Sequence, residues 1–253
     1  MIQKYPNSFA RFYDTIYHQM RDSTDHDYFQ GQIRKTSGKI LEVGAGTGRM
    51  FSVALDNGAD IYGLDISESM LEVLYKKIPA TQHFRISQQN ITDFTFDFRF
   101  DLIIAPFRVI MHLIDKEDQI RALNNVYNHL NKNGIFIFDT FVPDLNQLIN
   151  GLKNQKDFEG EYKPGFKIRR YVSTTPSLIN QTITVNFHLE WEEKEGLKHD
   201  DWILPMRFFF RYELEHLVER SGFESNYDIT GDYRGNKLSN DSKEFIVTCR
   251  KIR

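Results

Sequence analysis

The chain has 253 residues, 40% of them apolar and 26% charged, with 32 Lys+Arg against 35 Asp+Glu and a formal charge of −3. This is the composition of an ordinary globular protein, and 21 Phe with 12 Tyr exclude a disordered chain, which is poor in large apolar residues. The balanced charge argues against non-specific nucleic-acid binding, which rests on many phosphate contacts, and the single cysteine, Cys249, excludes both an internal disulfide and a Cys-based zinc site.

Residues 5–35 read as helical, with Phe9, Phe12, Tyr13, Ile16 and Tyr17 on one face. Lys39–Val43 is a strand running into glycines. A helix follows over about Gly48–Asp56, stopped by Asn57-Gly58. Ala59–Leu64 is the next strand. Ser67 is placed to cap a helix carrying Met70, Leu71 and Leu74 that ends near Pro79. His83–Ile86 and Phe100–Ala105 are strands, and Asp115 caps a helix with Ile120, Leu123, Val126, Tyr127 and Leu130. Asn133-Gly134 turns into the strand Ile135–Asp139. This alternation predicts βαβ units and a mostly parallel sheet, whose doubly covered strands read as continuous apolar runs.

After residue 150 the period changes to two. Ile183, Val185, Phe187, Leu189 and Trp191 are apolar on odd positions, and Trp202, Leu204, Met206, Phe208 and Phe210 on even ones. With a strand at 166–172 and a turn at Thr175-Pro176-Ser177, residues 152–210 are predicted to form an antiparallel insertion of about three strands. A helix with Leu214, Leu217 and Val218 ends at Ser221-Gly222. Phe223–Ile229 and Glu244–Arg250 close the fold as an antiparallel pair. The expected fold class is therefore α/β: a seven-stranded mostly parallel sheet with helices on both faces, an antiparallel last strand, and a small antiparallel β insertion after the fifth strand. No apolar run approaches the roughly 20 residues of a membrane helix. The first residues lack the apolar core of a signal peptide. A cytoplasmic location is expected, with a small molecule as partner and no membrane.

The segment that carries chemistry is Leu41-Glu42-Val43-Gly44-Ala45-Gly46-Thr47-Gly48-Arg49. A glycine-rich turn between strand and helix lets a ligand approach the backbone closely. The dinucleotide fingerprint needs its third glycine three positions after the second; here the glycines alternate, and Arg49 stands where that third glycine would be. Asp65 ends the second strand about twenty residues on, where a carboxylate accepts from ribose hydroxyls.

Acidic-x-Gly-x-Gly-x-Gly resembles motif I of the class I S-adenosylmethionine-dependent methyltransferases. The resemblance extends in motif detail over about residues 38–142. It implies S-adenosylmethionine as cofactor, with S-adenosylhomocysteine as product. It implies a cofactor site of Tyr17, Glu42, Gly44, Ala45, Gly46, Gly48, Asp65, Ile66, Met70, Asn90, Ile91, Ala105 and Pro106. Glu42 suits the cationic amino group. Asn90 stands where an acidic residue commonly meets the adenine amino group, with Asp93 as the alternative. Ala105-Pro106 departs from the polar-Pro-Pro-aromatic tetrapeptide of members that methylate planar nitrogens. His112 is the candidate general base and Tyr13 the second candidate catalytic residue; a packed histidine and a helix merely stacked by its aromatic stripe are the competing readings. No metal is implied.

The same resemblance divides the chain into an N-terminal helical lid (1–37), a cofactor-binding core (38–150), an insertion (151–210) acting as substrate lid or homodimer surface, and a closing helix and strands (211–253). It implies transfer of a methyl group to N or O of a small molecule by in-line displacement. A tRNA or RNA methyltransferase, a non-catalytic S-adenosylmethionine-binding module and a nicotinamide oxidoreductase are the alternatives. Arg169-Arg170 and Arg207–Arg211 read as solvated faces.

Overall fold

A computed structural model describes residues 5–20 and 22–252. Two helices, α1 (Asn7–Met20) and α2 (Thr24–Lys35), precede β1 (Ile40–Val43), α3 (Phe51–Asp56), β2 (Ile61–Asp65) and α4 (Glu68–Tyr75). Then come β3 (Ile86–Gln88), β4 (Phe100–Ala105), α5 (Lys116–His129), β5 (Leu130–Phe141) and α6 (Leu145–Asn150). The insertion is β6 (Leu152–Lys163), β7 (Phe166–Ser177), β8 (Thr182–Glu193) and β9 (Gly196–Arg207); α7 (Arg211–Glu219), β10 (Tyr227–Thr230) and β11 (Glu244–Arg250) close the chain.

The main sheet has the order β3-β2-β1-β4-β5-β11-β10. Strands β1 to β5 pair in parallel, and β11 runs antiparallel to both of its neighbours. Alternate side chains of the central strands feed different layers. Leu41, Ile103 and Ala105 pack with Leu123 and Val126 of α5 and Leu214 of α7. Ile40, Leu102 and Ile104 pack with Phe29 of α2, Phe51 of α3 and Leu74 of α4. A third apolar layer joins Phe9, Phe12 and Ile16 of α1 to Phe158, Ile168, Leu189 and Trp202 of the insertion, and to Met70 of α4. Helix α1 therefore sits between the insertion and α4, while α2 belongs to the core. No helix of the described residues is long and apolar enough to cross a membrane.

Several boundaries differ from the sequence expectation. The helix over 5–35 breaks before Thr24, where the Asp22 carboxylate accepts from the Thr24 N–H and Ser23 bonds Asp27, local bonds that compete with helix continuation. Helix α3 begins at Phe51, three residues late, because Gly48 sits at φ +82°. Residues 80–85 form a 3-10 turn, so the third strand starts only at Ile86. Ser67 and Asp115 occupy the N-cap positions, but neither side chain makes the cap bond.

The insertion has four strands, order β6-β7-β8-β9. Strand β6 escaped detection because Phe158 is its one buried residue. Thr175-Pro176-Ser177 is strand, not turn. Pairing of β7 with β6 ends at Thr174, so Pro176 faces only β8 and its missing N–H leaves no bond unmade. Strand β9 stops at Arg207, so Phe208 and Phe210 lie beyond it.

Arg170 is not a solvated residue. Its buried guanidinium grips Asp157 with two bonds of 3.1 and 2.8 Å and donates to the Tyr17 hydroxyl at 3.1 Å, tying α1 to the insertion. Arg207 likewise pairs with Glu213 at 2.7 Å. Arg170→Ala is expected to cost about 3 kcal/mol, the low end for breaking a buried pair, and Arg170→Lys to recover only part of it, because an ammonium lacks the two-pronged geometry. Urea unfolding of the two variants measures both values.

Candidate active site

The turn after β1 is pinned to β2. The N–H groups of Gly44 and Ala45 donate to the Leu64 carbonyl at 2.8 and 3.0 Å, and that of Gly46 to Asp65 Oδ2 at 2.8 Å. The three glycines serve different ends. A Cβ on Gly44 would lie 2.4 Å from Val109, and one on Gly48 2.2 Å from Leu74, so these two permit packing. Gly46, at φ +56°, has nothing closer than 3.8 Å to such a Cβ and opens the backbone to the cavity. Asp65 Oδ1 accepts from the Ser67 N–H at 2.8 Å. Each carboxylate oxygen thus holds one backbone donor and keeps a lone pair for a ligand. Burial raises the Asp65 pKa above the ordinary aspartate value, against these hydrogen bonds.

A cavity of about 270 Å³ lies over the carboxyl ends of the parallel strands. Its floor includes Gly44, Gly46, Asp65, Ile66, Asn90 and Pro106, and its roof is Tyr5, Tyr13 and Tyr17 of the N-terminal segment with Phe187, Leu204 and Met206 of the insertion. Beside it a smaller pocket of about 40 Å³ is lined by Tyr13, Glu42, Gly46, Arg49 and Phe107. Glu42 is 2% exposed and its Oε2 has no hydrogen-bond partner among the described residues. Burial holds its pKa well above the usual carboxylate range, with Arg49 opposing more weakly. Arg49 itself pairs with Asp25 at 2.6 Å and lies over the Phe107 ring at 5.3 Å.

After β4 the chain makes a strained turn. Phe107 and Arg108 both have left-handed backbones, φ +63° and +65°, which costs on the order of 1–3 kcal/mol each for residues with a side chain. Asp139 at the end of β5 holds the turn by accepting from the Arg108 N–H at 3.2 Å, and the Tyr233 hydroxyl donates to its other oxygen at 2.9 Å. Arg108 reaches Glu244 at 2.8 Å. The result presents the Phe107 ring edge-on to Tyr17 at 5.2 Å. One turn later, His112 ends a 3-10 segment and lines the cavity, with the Tyr5 ring at 6.3 Å. No other described residue hydrogen-bonds its imidazole, and burial pulls its pKa down to about 4.

Of the sequence candidates, Tyr17, Gly44, Gly46, Asp65, Ile66, Met70, Asn90, Ile91, Pro106, Tyr13 and His112 line the main cavity, and Glu42 and Ala45 line the side pocket. Gly48 and Ala105 line neither. Gly48 packs on Leu74, and Ala105 is fully buried between the sheet and α5. Asp93 is exposed and outside the cavity. Asn90 Oδ1 already accepts from the Thr92 N–H at 3.1 Å, leaving one lone pair on that oxygen. The Tyr17 hydroxyl is engaged by Arg170. Sequence reasoning missed Tyr5, Phe107 and Met206. Met206 was visible as the inward phase of the period-two run; Phe107 had no sequence signal, since its aim depends on an unusual backbone angle.

Residues 40–134 match the family described as a methyltransferase domain. A Geobacillus sp. (strain WCH70) protein carried under a provisional methyltransferase name, GWCH70_2453, is 26% identical over 96% of this chain and 98% of its own length. The match to YqeM of Bacillus subtilis (strain 168), also provisionally named a methyltransferase, is 27% identical over 49% of this chain and 52% of that protein. In structure, an S-adenosylmethionine-dependent methyltransferase from Clostridium acetobutylicum superposes with a TM-score of 0.74, at 19% identity over 96% of this chain and 98% of that one. The sugar N-methyltransferase KedS8 from Streptoalloteichus superposes with a TM-score of 0.71, at 16% identity over 93% and 91%. Residues 40–134 thus match a methyltransferase domain, and the whole chain shares the fold of the S-adenosylmethionine-dependent methyltransferase from Clostridium acetobutylicum.

Proposed function

We propose that the chain binds S-adenosylmethionine in this cleft and transfers its methyl group to a nitrogen or oxygen of a small molecule enclosed under the roof. The observation that carries the reading is the pair of acidic groups flanking Gly46: Glu42, buried without a partner for Oε2, and Asp65, fixed by two backbone donors with lone pairs to spare. A buried carboxyl oxygen without a partner is costly unless a donor or cation arrives, so Glu42, once ionised, fits an ammonium and would repel a pyrophosphate. Asp65 fits a ribose diol. The cofactor supplies a methyl group already activated on a sulfonium.

The chain then has to align an acceptor and exclude water. Such alignment is worth effective molarities up to about 10⁵–10⁸ M in well-oriented cases. Tyr5, Tyr13, Tyr17 and Phe187 close the cavity over the acceptor, and aromatic faces favour a cationic centre by about 0.5–2 kcal/mol. His112, neutral because of its low pKa, takes the proton released by an amine or hydroxyl acceptor at its free imidazole nitrogen. A small acceptor is supported by the roof itself: α1 and the insertion sheet leave a partly covered cavity lined largely by apolar and aromatic side chains, where a nucleic acid would need an open basic groove.

In thermal shift with S-adenosylmethionine, S-adenosylhomocysteine and NADH, the first two are expected to stabilise the protein, by about 2.7 kcal/mol at a hundredfold excess over Kd. Stabilisation by NADH alone sinks the reading. Asp65→Ala is expected to weaken cofactor binding more than His112→Ala. Calorimetry in buffers of different ionisation enthalpy tests Glu42: a group whose pKa is raised in the free protein must ionise to hold an ammonium. Binding should therefore release a proton and strengthen as pH rises through that pKa, and Glu42→Gln should abolish both effects. His112→Ala is expected to lower kcat about 10²-fold with cofactor affinity retained. With a pKa near 4, His112 should give the wild-type rate no histidine limb between about pH 5 and 8.

A further inference from the structure

On the face of the insertion turned away from the cavity, two histidines and two carboxylates share one tile of sheet. Strands β8 and β9 pair His188 with Asp201 and Glu190 with His199. Residues two apart on a strand share a face, and directly opposed residues lie about 4.5–5.5 Å apart at Cβ, so the four side chains converge. Ligand atoms of His188, His199 and Asp201 all lie within 4.8 Å of one another. His188 Nδ1 is 2.7 Å from Asp201 Oδ1, and His199 Nδ1 is 4.0 Å from Asp201 Oδ2. The other nitrogen of His188, Nε2, is 3.3 Å from Glu190 Oε1.

We infer that this tile binds a divalent transition metal of the zinc type through His188, His199 and Asp201. Two imidazoles with one carboxylate are a donor set for zinc rather than for calcium or magnesium, which take oxygen. A tetrahedral zinc with bonds of about 2.0–2.2 Å spaces its ligand atoms about 3.4 Å apart. Closing the gap needs only small rotations of side chains that are 36–70% exposed. The ion enters between His188 Nδ1 and Asp201 and replaces their hydrogen bond. His188 then coordinates as the neutral tautomer through Nδ1, and its Nε2–H donates to Glu190, the outer-carboxylate arrangement that fixes a ligating imidazole. Water completes the fourth position. The neighbouring cross-strand pair, Phe187 with Trp202, stacks at 4.6 Å on the opposite face against α1. The ion would thus clamp β8 to β9 behind the roof, away from the reacting centre. This inference does not depend on the reading of the cavity.

The test is calorimetry and thermal unfolding of the full chain, stripped with chelator, against zinc, calcium and magnesium chlorides. One zinc per chain and a raised Tm are expected, with zinc binding at least tenfold weaker in His199→Ala, whose side chain is 70% exposed, and lost in His188→Ala/His199→Ala. Cobalt(II) substitution should give the absorption of a tetrahedral site in the wild type and none in the double variant. No zinc binding by the wild type, wild-type binding by the double variant, or an equal response to calcium would each overturn the inference.

Discussion

The hydrogen bond from the Gly46 N–H to Asp65 fixes the geometry on which the cleft depends. It joins two consecutive strands at their carboxyl ends and draws the open side of the turn to a set distance from an acidic side chain. The second oxygen of Asp65 starts the turn into α4 by accepting from Ser67. One carboxylate therefore orders the glycine turn, the beginning of the next helix and the binding surface together. An aspartate so committed would lose little further freedom to any ligand that met it in the proposed cofactor site, which is the sense in which that carboxylate is preorganised.

Helix α1 is the second organising element, because it touches the glycine turn, the α4 region, Phe107 and the insertion, four of the parts around the cavity. Asp14 accepts from the Thr47 hydroxyl at 2.7 Å and pairs with Lys77 at 2.5 Å, so the helix is bonded to the glycine turn and to the end of α4. Tyr5 bonds Ser69 through its carbonyl at 2.8 Å. On the other side Tyr17 meets Arg170, and Phe9 packs on Trp202 at 4.3 Å between ring centres. Any motion that opens the roof must break polar bonds at one of these sides.

The core was legible because its signals are local. Continuous apolar runs such as Phe100–Ala105, punctuated by Asn57-Gly58 and Asn133-Gly134, mark buried strands and their turns whatever surrounds them. Glu42, Gly46 and Asp65 were legible because a motif reports backbone shape and donor chemistry together. Strand β6 was not, since a polar edge strand carries no periodic pattern. Pro176 misled for a related reason: whether a proline is tolerated depends on which neighbour faces its nitrogen, a fact of pairing and not of composition. Arg170 looked solvated because a charged residue is usually exposed unless paired, and its partners Asp157 and Tyr17 are 13 and 153 residues away in sequence. The roles of Gly48 and Ala105 also turn on tertiary packing, which the motif alone does not encode.

The strained turn at Phe107–Arg108 is anchored by Tyr233 through Asp139 and by Glu244, both from the closing segment, and faces tyrosines from the chain's beginning. During synthesis, the glycine turn and Asp65 leave the ribosome long before these anchors do. A nascent chain can form β1 to β4 before any of these groups has been made; β5 brings Asp139 to the left-handed pair, and the full set of anchors is in place only once β11 has joined β5. Fragments cut short of residue 244 would carry the glycine turn without the groups that anchor the strained one.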